Sequence, residues 1–211
     1  MTDLLIHVPK PPDTGTGTLF GGLPAIPRGT RFKWPVCKEC SGPMQYLGRL
    51  AIPADEQRAA RFALLFMCNN DPGMCEEWDA DAGGNSVLIV PGENLEPVKS
   101  APAATAVRST LYGARITSLA QPDYDAAREE WAQANSNFTR QVLGQMFGRP
   151  AWIQSEFTPK CGVCNEPMQF IAQLESGPEA ATEMNFGGGG CAYVYECRCG
   201  SSAGKMHWQC G

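Results

Sequence analysis

Cys37-Lys-Glu-Cys40-Ser-Gly-Pro43-Met44-Gln45-Tyr46-Leu47 and Cys161-Gly-Val-Cys164-Asn-Glu-Pro167-Met168-Gln169-Phe170-Ile171 are two writings of one motif. Each opens on a Cys-x-x-Cys knuckle and runs straight into an apolar stretch with the look of a strand. Each is answered by a second cysteine pair, Cys68 and Cys75 after the first and Cys197 and Cys199 after the second. A motif of that specificity, present twice, predicts an internal duplication in which every copy carries its own four-cysteine metal site. The copies diverge at the distal pair, where Cys68 and Cys75 are seven apart and Cys197 and Cys199 two apart. Cys75 and Cys199 are therefore matched by role, and Cys210 or His207 could stand in for Cys199 as the fourth ligand.

The chemistry of such a site is narrow. Four thiolates around Zn²⁺ fill its tetrahedral corners at about 2.3 Å and leave no position for water. A closed site of this kind holds structure and is poorly suited to Lewis-acid or hydroxide chemistry. A redox dithiol would sit between a strand and a helix, whereas each knuckle here precedes a strand. Two structural zinc ions are thus expected, on Cys37, Cys40, Cys68 and Cys75 and on Cys161, Cys164, Cys197 and Cys199. Cys191 falls where the first copy has Phe62, so it reads as a small buried hydrophobe.

Working outward, strands are expected over Met44 to Ile52, Arg61 to Cys68 and Ser86 to Val90, with Met168 to Leu174 and Cys191 to Cys197 repeating the first two. A Pro- and Ala-rich connector follows Pro91, Leu111 to Leu119 reads as a strand, and Asp123 to Ala134 has the start signal and composition of a helix. A second short helix is expected from Phe138 to Met146. Three regions result: a first half over 1–90, a connector with a helical insert over 91–144, and a second half over 145–211. The fold class expected is α+β, β-rich, in two pseudo-symmetric halves packed as one domain.

At 211 residues the chain can bury a substantial core. Its 23 glycines and 17 prolines favour short strands and turns over long helices. A formal net charge of −5 argues against a nucleic-acid binder and suits a basic protein partner better. Asp71, Glu76, Glu77, Asp79 and Asp81 gather around Cys75 and Trp78, as a solvated loop or as a docking patch for that partner. No secretory signal is visible, and the longest apolar run, Phe62 to Cys68, is too short to cross a bilayer. A reducing cytoplasm is the expected location, which favours metal thiolates over disulfides among the ten cysteines.

Catalytic signatures are scarce. Gly187 to Gly190 lacks the Lys-Ser/Thr of a phosphate loop and reads as a hairpin loop. There is no Gly-x-Ser-x-Gly or His-Glu-x-x-His, and the two histidines give little scope for acid–base work. An enzyme, hydrolytic or thiol-dependent, would need a site between the two halves or one using Cys210 or His207.

Gly22-Leu-Pro24, Trp34-Pro35, the two knuckles with their Pro-Met strands, Gly148-Arg-Pro150-Ala-Trp152-Ile-Gln154 and Tyr193-Val-Tyr195-x-Cys197 together resemble the YwqG-like family of bacterial proteins. The chain is also distantly similar to the programmed-cell-death-protein family, dedicated chaperones of a ribosomal protein. The resemblance spans both halves but not the stretch from Pro91 to Asn137. It implies a duplicated, β-rich, cytoplasmic protein that binds proteins, as an immunity (antitoxin) protein or as a chaperone.

Overall fold

Phe62, Leu64 and Phe66 alternate with Ala63, Leu65 and Met67, and all six are buried. A strand covered on both faces needs an apolar layer on each side. In the computed structural model, which describes residues 1–9, 15–136 and 139–211, Ala63, Leu65 and Met67 join a central core. Phe62, Leu64 and Phe66 face a second layer under the first knuckle.

The strands are β1 (Thr2–Val8), β2 (Leu19–Phe20), β3 (Ala25–Pro27), β4 (Gln45–Ile52), β5 (Arg61–Met67), β6 (Asn85–Pro91), β7 (Leu95–Pro97) and β8 (Tyr112–Leu119). Helix α1 (Tyr124–Ala134) follows, then β9 (Val142–Met146), β10 (Gln169–Glu175), β11 (Cys191–Glu196) and β12 (Ala203–Gln209). Ten of these strands close an antiparallel barrel in the order β1-β8-β2-β4-β5-β6-β12-β11-β10-β9, and β3 pairs with β7 outside it.

The barrel divides into two runs of the same design, β8-β2-β4-β5-β6 and β1-β9-β10-β11-β12, meeting at the β1–β8 and β6–β12 seams. β4 and β10 each carry an irregularity at the same place, between Tyr46 and Gly48 and between Phe170 and Ala172. Both seams are antiparallel, so the runs point in opposite directions. The first knuckle consequently lies at the Met67 end of β5. The second precedes β10 and adjoins Glu196, whose carboxylate meets Arg61 at the other end of β5. The two cysteine groups are thus separated by the length of β5, on the order of 20 Å at strand rise.

Side chains fill the barrel. Leu5, Phe20, Leu50, Leu65, Met146, Leu174, Val194 and Met206 form one buried core with Met184 and Phe186 from the β10–β11 loop. The outer face is covered in three places: by the first knuckle over β4–β6, by the second over β10 and β11, and by α1 over Leu4, Ile6 and Val142.

The expected α+β class with a helical insert is corrected by this architecture, which is nearly all β. Helix α1 forms where Asp123 predicts it, the aspartate side chain accepting from the Ala126 N–H at 2.9 Å. It is, however, the only α-helix among the described residues, and it packs onto the barrel wall. Val142–Met146 is a strand, not the second helix. All five of its residues are buried, so neither periodicity shows in it. The start of that expected helix, Phe138, lies outside the described residues. Within the stretch expected as a connector, β8 forms where Leu111 to Leu119 predicts a strand and serves as a barrel stave, and β7 pairs with β3.

Candidate metal centres

Both knuckles fold by the same hydrogen bonds. The Cys37 N–H donates to the Gly42 carbonyl at 2.9 Å, the Ser41 N–H to Cys37 at 3.0 Å and the Met44 N–H to Pro35 at 3.0 Å. In the second copy Cys161 donates to Glu166, Asn165 to Cys161 and Met168 to Pro159, each at 2.9 Å. The residue after each knuckle turns left-handed, Ser41 at φ 57° and Asn165 at φ 62°. Small polar residues tolerate that conformation better than branched ones.

Closure of the distal loops is also shared. The Cys68 N–H donates to the Gly84 carbonyl at 2.8 Å, and the Cys197 N–H to the Ala203 carbonyl at 2.9 Å. Gly84 and Ala203 are therefore equivalent, and the chain between them and the preceding cysteine is long in the first copy and short in the second. That difference is why the distal cysteine spacing does not repeat.

Within each set of four the sulfurs converge. Cys37, Cys40, Cys68 and Cys75 have their Sγ atoms all within 4.8 Å of one another, and so do Cys161, Cys164, Cys197 and Cys199. The Sγ separations are 3.6 Å for Cys40–Cys68, 3.9 Å for Cys161–Cys199 and 3.5 Å for Cys164–Cys197. Four thiolates bound tetrahedrally at about 2.3 Å have edges of roughly 3.8 Å, so both sets fit an ion of that kind. A disulfide needs sulfurs about 2.05 Å apart, and all ten cysteines are free. Two four-cysteine clusters are thus positioned to hold metal ions.

Donors around the sulfurs favour thiolate at particular corners. The backbone N–H of Gly42, then the Asn70 side chain, bring the Cys40 thiol down to about 7. The N–H groups of Cys164 and Val163 bring Cys161 down to about 6. Burial pushes Cys68 and Cys75 the other way. Charged thiolates in such surroundings are stabilised by a cation at the centre of the cluster.

The chain matches no family model and no curated protein with which it was compared.

The other sequence candidates lie outside the clusters. Cys191 is buried among Tyr193 and Tyr195 in the layer under the second knuckle, and burial, with Glu175 nearby, raises its thiol to about 11. Cys210 is half-buried and belongs to neither set. His207 is 4% exposed and stacked against Trp152, Tyr193 and Tyr195 at interplanar angles of 16°, 21° and 18°, with Phe157 on edge. Its Nε2 lies 3.4 Å from the Tyr195 hydroxyl. Packing keeps this histidine away from the sulfurs, and burial lowers its pKa to about 4.

Two supporting residues escape a reading by motif. Asn70 donates from Nδ2 to the sulfurs of Cys40 and Cys68, 3.3 Å to each. Glu77, inside the acidic run, is buried and accepts from the N–H groups of Gly73 and Cys75. Asp71, Glu76, Asp79 and Asp81 around it are exposed. Asn70 follows Cys68 by two residues, a spacing that could have marked it. Nothing in the sequence separates Glu77 from its acidic neighbours. No helix among the described residues is long and apolar enough to cross a membrane.

Proposed function

We propose that the protein is a zinc-stabilised protein-binding barrel, with two structural zinc ions and no catalytic metal. The observation that carries this reading is the convergence of four sulfurs in each knuckle at the spacing of a tetrahedral thiolate site. Thiolate sets of this geometry suit zinc or iron–sulfur chemistry, and the low requirement for redox function in a closed structural site favours zinc. Each ion would carry four protein ligands, leaving no coordination position for a substrate. The filled barrel supports a role at the surface.

The partner would be a basic protein. Asp71, Glu76 and Asp79 are exposed on the loop that closes the first cluster, and a zinc tetrathiolate beside them adds two further negative charges. Immunity towards a toxin and chaperoning of a nascent client, the roles implied by the family resemblance, are two forms of this one reading. A cytoplasmic setting follows from the reduced thiols it requires.

Elemental analysis of gently purified protein should find two zinc ions per chain. A partner co-purified from the native host should be basic, and its binding should weaken with salt and be lost in an Asp71→Lys/Glu76→Lys/Asp79→Lys variant that still folds. Metal-free folded protein, or a partner indifferent to those charges, would sink the proposal.

A further inference from the structure

The two clusters share their sulfur geometry but differ in what shields it. In the first, Cys37, Cys68 and Cys75 are 1–3% exposed, and only Cys40 faces solvent. The side chain of Asn70 lies across Cys40 and Cys68 and donates to both. The loop carrying Cys75 is held by Glu77 and by Asn85, whose Nδ2 donates to the carbonyls of Glu77 and Asp79 at 3.0 and 2.9 Å. It is also tied to β12, where the Trp208 N–H donates to the Trp78 carbonyl at 3.1 Å and Lys205 pairs with Asp81.

In the second cluster Cys199 is exposed and Cys164 half-exposed. The distal loop is only the few residues between Cys197 and Ala203, and Arg198 through Ser202 are all exposed. Cys199 Sγ has the Ser201 hydroxyl at 3.0 Å, itself on the same exposed turn. The donors to its sulfurs are local backbone N–H groups, Val163 to Cys161 and Cys199 to Cys197, both at 3.4 Å. No side chain occupies the place that Asn70 takes in the first cluster among the described hydrogen bonds.

A tetrathiolate ion exchanges by entry of an outside ligand, which forms a bond to the metal as one metal–sulfur bond opens. The departing thiolate leaves with its electron pair and takes a proton from water, and no oxidation state changes. Access to one corner and freedom of its sulfur to swing away set the rate. We infer that the second centre is an exchange site for soft d¹⁰ cations such as Zn²⁺ and Cd²⁺, entered at Cys199, while the first centre holds its ion much longer. This rests on the zinc-barrel reading. It assigns the two ions different roles: one closes the fold, and the other can be given up to or taken from a thiolate-rich acceptor. None of the second set of cysteines belongs to the central core, so the barrel should persist when that ion leaves.

Zinc-loaded full-length protein, first assayed for two ions per chain, would be mixed with excess chelator and a chromogenic zinc indicator. Release is expected in two equal phases differing at least ten-fold in rate. N-ethylmaleimide added after the fast phase should label Cys161, Cys164, Cys197 and Cys199 and spare Cys37, Cys68 and Cys75. Asn70→Ala should speed the slow phase and leave the fast one unchanged. Added Cd²⁺ should replace one equivalent before the other. A single phase, early labelling of the first cluster, or an Asn70→Ala effect on the fast phase would overturn the assignment. Fewer than two ions at the outset would instead remove the zinc reading on which it stands.

Discussion

Arg61 Nε and Nη2 donate to the two carboxylate oxygens of Glu196 at 2.8 and 2.5 Å, joining the first residue of β5 to the last of β11. The side chains are 8% and 2% exposed. Arg58 adds a third bond to Glu196 at 2.8 Å, and Asp55 pairs with both arginines. The pair reaches over the β6–β12 seam, which is secured by only two residue pairs, Leu88 with Ala203 and Val87 with Gly204. It therefore clamps a junction as sparsely paired as those of β2 with β4 and β8.

Removing one side of this clamp strands a buried charge. Glu196→Gln is expected to cost about 3 kcal/mol, because Arg61 keeps its desolvation with only the exposed Asp55 left as a charged partner. The double variant Arg61→Met/Glu196→Met should recover most of that loss. Urea unfolding of the two variants beside the parent measures both values. A single variant within about 0.5 kcal/mol of the parent would show that water reaches the pair.

His207 makes stability depend on pH. In the barrel its pKa is lowered from 6.5 to about 4, first by burial, with the Phe157 carbonyl and Asp79 acting the other way. A depressed histidine pKa means that the unfolded chain binds more protons between those two values. The contribution is complete above pH 6.5 and is lost as pH falls towards 4, up to about 3 kcal/mol. Metal loss in acid acts on the same window, so the measurement is a difference. His207→Phe compared with the parent at each pH should show a flatter stability curve below pH 6.5. Parallel curves would exclude His207 as the cause.

Metal content should respond to each cluster separately. Cys37→Ser or Cys161→Ser removes a ligand from one set and is expected to halve the zinc bound per chain. Each loss should also loosen its own aromatic layer, Tyr46, Phe62 and Phe66 for Cys37 and Tyr193 and Tyr195 for Cys161. Elemental analysis with near-ultraviolet circular dichroism reads both effects. Full zinc in either variant would contradict the proposed ligand set.

Of the strands that could be read directly, β4, β5, β10 and β11 carry the repeated motif, and β6 and β8 were legible as short apolar runs. Spacing marked the four knuckle cysteines, whereas Cys75 and Cys199 could be matched only by role and are placed with them by the structure. β1 was not, because Leu4 packs under α1 while Leu5 faces the core, so consecutive residues are apolar and no alternation survives. β12 hides for the opposite reason: Lys205, His207 and Gln209 look like a solvated segment, yet His207 and Gln209 are buried beneath residues 152–157, satisfied by aromatic rings and by backbone groups. Barrel closure itself depends on β1 pairing with β8, residues more than a hundred positions apart, which no local pattern encodes.

Gly204 offers the sharpest test of the seam. A Cβ there would stand 2.5 Å from Val87 Cγ1 and 3.0 Å from the Val87 carbonyl oxygen. The first contact is a short branched side chain with little room to turn, and the second is backbone. Gly204→Ala should therefore push β12 from β6 and cost about 1–3 kcal/mol, as overpacking does. Val87→Ala removes the nearest atom and keeps the Val87 Cβ at 2.9 Å and the carbonyl contact, so the relief is partial. In a double-mutant cycle the pair should be less destabilised than the sum of the singles by about 1 kcal/mol. Simple additivity would mean that the strands approach less closely at this point and that the clamp at Arg61 and Glu196 holds the seam unaided.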